Sequence, residues 1–120
     1  MKGAKAERVS GEAAEAAVGR LREMSADLRG CALLGPGGEV LAATGDAERW
    51  AAAATDLLAA ADEAGNEPAG HVHVATEDGE AFAVREEDYA MVAVTERFTL
   101  ASLMIFDMRA VLRDLARDGA

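Results

Sequence analysis

Hydrophobic and polar positions divide the chain into stretches of two different periods. Downstream of Ser10, the residues Ala14, Ala17, Val18, Leu21, Met24 and Leu28 recur at intervals of three, four and seven, with Glu12, Glu15, Glu23 and Asp27 mostly opposite. This spacing predicts an amphipathic helix, N-capped by Ser10, running to about Leu28 and closed by Gly30. Two short apolar runs follow, Cys31 to Leu34 and Val40 to Thr44, separated by the turn cluster Pro36-Gly37-Gly38. They read as a β-hairpin. Neither run alternates cleanly, which implies a sheet covered on both faces.

The segment from Asp46 to Gly65, DAERWAAAATDLLAAADEAG, predicts a single helix. Asp46 suits the N-cap, and Gly65 with Asn66 suits the C-terminal stop. At about 100° per residue, Trp50, Ala53, Ala54, Leu57, Leu58, Ala61 and Ala64 share one side, which needs a cover, most simply a sheet. The other side carries Glu48, Ala52, Thr55, Asp56, Ala59, Asp62 and Glu63. It is acidic, yet its small residues would let a second helix approach. Ala52, Thr55, Ala59 and Asp62 are therefore candidate contacts with a second copy of the chain.

Strand patterns resume at His71 to Thr76. Asp78-Gly79 reads as a two-residue hairpin turn, answered by Ala81 to Arg85. Glu86-Glu87-Asp88 is an acidic turn before Tyr89 to Thr95, YAMVAVT. A last helix is predicted from near Thr99 to about Arg117, with Leu100, Ala101, Met104, Ile105, Met108, Val111, Leu112 and Leu115 on its apolar arc. Phe106 falls off that arc, beside Ser102, Arg109 and Arg113. Its favoured placement is under the first helix, because exposed aromatics are uncommon in a chain with 4% aromatic residues. The alternative is a partner-contact site of Phe106, Arg109 and Arg113.

The order α-β-β-α-β-β-β-α defines an α/β (α+β) three-layer sandwich around a five-stranded, mostly antiparallel sheet. Residues 1–9 are expected to form a disordered tail, and residues 10–117 a single domain.

Composition narrows the functional classes. The chain has 120 residues, 51% of them hydrophobic and 28% charged, a globular profile. Its formal net charge of −10 disfavours nucleic acid and anionic membranes as partners. Cys31 is the only cysteine, so no internal disulfide is possible, and an apolar strand suits a buried, inert thiol. The first twenty residues lack an apolar signal core, and no apolar run approaches a membrane span. A cytoplasmic location is expected.

No catalytic constellation is legible, and no cofactor is expected. The cluster from Gly35 to Gly38 lacks the Lys-Ser or Lys-Thr of a phosphate loop and leads into a strand. His71 and His73 point to one face of a strand, but no third metal ligand is placed by the sequence. Carboxylates gather at helix surfaces and turns, where solvation accounts for them. No serine or cysteine stands in a nucleophile setting.

Taken in order, these pieces resemble the Roadblock family, which includes the roadblock-type dynein light chains, bacterial MglB-like proteins and Ragulator subunits. The resemblance runs from about Ala14 to Leu115. LREMSADLRGCALLGPGGEVLAATG resembles the family's helix-to-hairpin segment, and the alanine-rich helix takes the place of its central helix. EDGEAFAVREEDYAMVAVT resembles its final strands, and FTLASLMIFDMRAVLRDL its closing helix. The resemblance implies a profilin-like fold of the same element order. It implies a homodimer in which central helices pair and third strands join edge to edge, placing His71 and His73 near the twofold axis. It further implies a non-enzymatic scaffold that binds, and in some members regulates, a small Ras-like GTPase. An arginine acting in trans has candidates in Arg49, Arg97, Arg109 and Arg113, and nothing selects one. The alternatives are a small-ligand sensor of PAS or GAF type, which needs an internal pocket, and a structural adaptor of a non-GTPase complex.

Overall fold

The computed structural model describes residues 10–65, 70–75 and 77–118. The first helix, α1 (Gly11–Met24), starts where the Ser10 hydroxyl accepts the Ala13 N–H at 3.0 Å. That bond satisfies one of the free donors of the first turn. The helix stops at Met24, short of the predicted Leu28, because Ser25 turns extended. Leu28 belongs to β1 (Leu28–Leu34) and pairs with Thr95. Gly30 lies inside that strand opposite Val94, so it does not close the helix. Leu28 continues the helical spacing, but the ladder bonds of the strand determine its conformation.

β2 (Val40–Ala43) returns antiparallel to β1. α2 (Ala47–Gly65) follows, with Asp46 Oδ1 accepting the Glu48 N–H at 3.0 Å as an N-cap. β3 (His71–Ala75), β4 (Glu80–Glu86) and β5 (Tyr89–Thr95) complete the sheet before α3 (Ala101–Asp118). Strand order across the sheet is β2-β1-β5-β4-β3, with every neighbouring pair antiparallel.

The two-residue period of the strands sorts side chains to two faces. Cys31, Leu33, Phe82, Val84, Met91 and Ala93 meet Leu21 of α1 and Met104, Met108 and Leu112 of α3. Each of the Leu, Val, Phe and Met side chains among them contributes roughly 1.5–3 kcal/mol by leaving water. On the other face, Leu34, Ala83, Ala90 and Val92 meet Ala54 of α2, flanked by Trp50, Leu57 and Leu58. The result is the three-layer sandwich, with α1 and α3 on one side and α2 on the other.

The turns differ from the sequence reading in one instructive way. Ala75 and Glu80 are the last paired residues of the β3–β4 hairpin, so its turn is longer than Asp78-Gly79 alone. Gly79 is required by close approach, since a Cβ there would collide with the Thr95 carbonyl oxygen. The tight two-residue turn is Glu87-Asp88, between the paired Glu86 and Tyr89. Glu87 adopts φ 59° to make it. The tail predicted over residues 1–9 and the helix stop at Asn66 lie outside the described residues.

Candidate partner-binding surfaces

β3 is an edge strand, hydrogen-bonded to β4 on one side only. Its side chains alternate. Val72 packs on the α2 side, and Val74 on the same side is 40% exposed. His71 and His73 project toward the α3 side, each with its own partner. Arg109 of α3 donates to His71 Nδ1 at 3.3 Å. The His73 imidazole stacks on Phe82, directly across the hairpin, with centroids 4.5 Å apart and planes within 2°. Its Nε2 lies 2.5 Å from Glu80 Oε1.

Glu80 is buried, and its carboxylate also accepts the backbone N–H groups of Phe98 and Thr99. One side chain therefore joins the β3–β4 hairpin to the turn that launches α3. The hydrogen bond with His73 is the main cause holding Glu80 below the usual carboxylate range, against the opposing effect of burial. Phe98 in that turn adopts φ 64°, and the Glu80 carboxylate meets its N–H. Sequence reasoning missed Glu80. Its one available signal was that it directly follows a glycine turn and stands on the inward side of the strand.

The remaining candidate dimer contacts lie across the sheet. Ala52, Thr55 and Ala59 are exposed on α2. Asp62 is not a free surface carboxylate. It binds Arg85 of β4 in a bidentate pair, Nη1–Oδ1 at 2.7 Å and Nη2–Oδ2 at 2.9 Å. The structure thus separates the six residues into an α2 group and a histidine group on opposite faces of the sheet, with the histidines on the β3 edge and Asp62 tied to β4.

α3 presents the third candidate group. Phe106 is 68% exposed, so the expected cover by α1 is not there. α1 lies along another flank of α3, where Arg20 binds Asp114 at 2.5 Å and the Ser25 hydroxyl approaches Met104 Sδ at 3.5 Å. Arg109 and Arg113 do accompany Phe106 along one groove. Arg113 Nε reaches Glu86 at 3.4 Å. Leu100, placed on the apolar arc by its spacing, is 65% exposed because it precedes the first turn of the helix.

Two other features bear on chemistry. An open cleft of about 780 Å³ lies at the N-terminal end of α2, lined by Arg29, Gly30, Thr44, Arg49, Trp50 and Val94 among others. Trp50 Nε1 donates to the Thr44 carbonyl at 2.7 Å on its wall. Cys31 is buried in β1, and burial pushes its thiol up to about 11, far from the range of reactive thiolates. Among the described residues no His, Cys, Asp and Glu side chains group to hold a metal ion, and no helix is long and apolar enough to cross a membrane.

Comparison with known proteins places this architecture. No family model matches the sequence, and no curated protein matches it. Solved structures do match. A Roadblock/LC7 domain from Streptomyces avermitilis superposes with a TM-score of 0.75 at 17% identity, covering 86% of this chain and 94% of that one. The gliding protein MglB from Thermus thermophilus superposes with a TM-score of 0.73 at 16% identity, covering 99% and 93%. Profilin from Schizosaccharomyces pombe gives 0.63 at 14% identity, covering 89% and 99%. The chain has the Roadblock fold, an α+β sandwich shared in outline with profilin.

Proposed function

We propose that this protein is a non-enzymatic, homodimeric scaffold that binds and regulates a small Ras-like GTPase in bacterial signalling. The observation that carries the dimer is the β3 edge. It is regular and contains neither lysine nor proline to deter pairing. Antiparallel pairing of two such edges would join the sheets, bring the α2 surfaces of Ala52, Thr55 and Ala59 together, and set His73, the middle residue of β3, close to the axis. The GTPase as partner follows from the resemblance to the Roadblock family, and the likeness of fold to MglB supports it. Regulation would work by surface complementarity, since the mechanism asks for no reactive group in this chain.

Light scattering on a sizing column tests the dimer. A stable species of twice the 12.4 kDa chain mass is the expected result. A monomer at all concentrations would remove the homodimer. A Ras-like GTPase loaded with GDP or a non-hydrolysable GTP analogue then tests the partner, with nucleotide-dependent binding expected. A second reading, a small-ligand sensor, draws on the open cleft beside Trp50. A ligand-dependent rise in melting temperature without GTPase binding would favour it.

A further inference from the structure

Four of the large hydrophobic side chains exposed among the described residues lie in one short stretch. Phe98 is 85% exposed, Leu100 65%, Leu103 54% and Phe106 68%. Leu103 and Phe106, three residues apart on α3, share one helix face. Apolar surface gathered in this way is a mark of an interaction site.

Beyond Phe106 the same face turns basic. A groove of about 480 Å³ runs along it, where Arg109, Arg113 and Arg117 face a single lining carboxylate, Asp114. Asp114 binds Arg117 at 2.7 Å and also Arg20 of α1, Glu86 lies 3.4 Å from Arg113 with Glu87 adjoining, and His71 contacts Arg109. The side chains of Arg113 and Arg117 are still 64% and 71% exposed. This groove holds a local excess of positive charge in a chain of net charge −10.

We propose that the outer face of α3 docks an amphipathic helix of a partner protein, apolar at one end and acidic at the other. Charge complementarity selects the acidic end, and arginine is well suited to pair with carboxylates. The arginines recur every four residues, so carboxylates at the same interval on the partner would meet them in register. From Leu103 to Arg117 the helix rises about 21 Å, which sets the occupant at roughly fourteen residues.

Apolar and basic residues are segregated along the axis of α3. A helix lying on a bilayer separates them around its axis instead, and the chain's net charge adds repulsion from anionic lipid. A second copy docking in parallel through the same face would bring arginines against arginines, and an antiparallel copy would set the apolar end of one helix against the arginines of the other, leaving them without carboxylates. α3 also lies across the sheet from α2, so this surface goes beyond the dimer reading and does not depend on it.

Two fluorescein-labelled helical peptides provide the test, each with a leucine-bearing half. One has Glu at four-residue intervals in its other half, and the second has Lys at the same positions. Anisotropy against the intact protein should show the Glu peptide binding, more weakly as salt rises, with the Lys peptide at least about tenfold weaker. Phe106→Ser and Arg113→Glu should each weaken the Glu peptide by about tenfold while the circular dichroism spectrum and solution mass stay unchanged. The double variant Arg113→Glu/Arg117→Glu should favour the Lys peptide. Absence of binding, or equal binding of both peptides, overturns the proposal. Flotation with phosphatidylglycerol vesicles that Phe106→Ser abolishes would make the face a lipid surface instead. A change in solution mass on Phe106→Ser would make it a contact between copies.

Discussion

Breaking the Asp62–Arg85 bridge distinguishes two roles for the outer surface of α2. If Asp62 serves the fold, its loss lowers stability and leaves the solution mass unchanged. If it serves the dimer, the reverse holds. Both Nη atoms of Arg85 reach the carboxylate, and the two side chains are 28% and 36% exposed. Exposed ion pairs contribute about 0.2–1 kcal/mol, and the exposure of Asp62 keeps this one near that range. Its bidentate geometry places it at the upper end, about 1 kcal/mol of coupling. The bridge has extra leverage because α2 otherwise holds the sheet with few large side chains, mainly Trp50, Leu57 and Leu58. The assay is a double-mutant cycle of Asp62→Ala, Arg85→Ala and the double variant. Denaturation is followed by circular dichroism at one protein concentration, because dimerisation would make the midpoint concentration-dependent. Each kcal/mol lost near the midpoint should lower Tm by roughly 4 °C or more in a domain of this size. Effects additive to within about 0.3 kcal/mol, or a shift in mass with no change in Tm, would refute the argument.

Other residues give equally direct tests. Glu80 releases its proton more readily when folded than when unfolded, so its contribution is present above the unfolded carboxylate pKa and is lost as pH falls through the lowered folded value. Glu80→Gln should therefore lower Tm at neutral pH and converge with wild type on acidification; a constant offset down to about pH 3 would count against it. Asp107 has the opposite sign, since burial raises its pKa and its ionised form costs stability at neutral pH. Asp107→Asn should raise Tm at neutral pH, with the gain vanishing at acid pH, and no gain at neutral pH would contradict this. At Gly30 an added Cβ would stand 2.9 Å from Thr44 Oγ1 and 3.1 Å from Trp50 Cζ2. Gly30→Ala should cost about 1–3 kcal/mol and shift the emission of Trp50, the only tryptophan, whereas an unshifted spectrum would mean that the ring does not pack there.

Period and punctuation made the element order legible. The helical spacing through Leu21 and the Asp46 cap correspond to observed features. Boundaries failed where long-range pairing competes with local pattern. Leu28 fits the α1 spacing, and only its ladder with Thr95 makes it strand. Both strand-connecting turns are legible from composition, but Asp78-Gly79 signals a two-residue turn where the register ends at Ala75 and Glu80, and the two-residue turn is Glu87-Asp88, within the acidic turn. Site residues were less legible for the same reason. Asp62 and Arg85 are joined only by the docking of α2 on β4. The exposure of Phe106 depends on which flank of α3 is taken by α1, and a helical wheel holds no information about that. Arg109 and Arg113 were legible because they share a face with Phe106 at helical spacing.

The two edges of the sheet are unequal, and the inequality bears on function. β2 is short, with a register irregularity against β1 between Leu33 and Leu34 that interrupts a regular pairing surface. β3 keeps an unbroken register with β4 from His71 to Ala75. Side-chain pairs flank this regular edge from both sides of the sheet, His73 hydrogen-bonded to Glu80 on one and Arg85 bridged to Asp62 on the other. An edge that merely avoided aggregation would be expected to carry a bulge, a lysine or a proline. Here His73 is held by stacking on Phe82 and by Glu80, which together favour a preformed strand. Preorganisation lowers the ordering cost of association, so Glu80→Gln should weaken a β3-paired dimer as well as the fold. A dimer whose dissociation is unaffected by Glu80→Gln, measured by dilution at neutral pH, would place self-association on another surface.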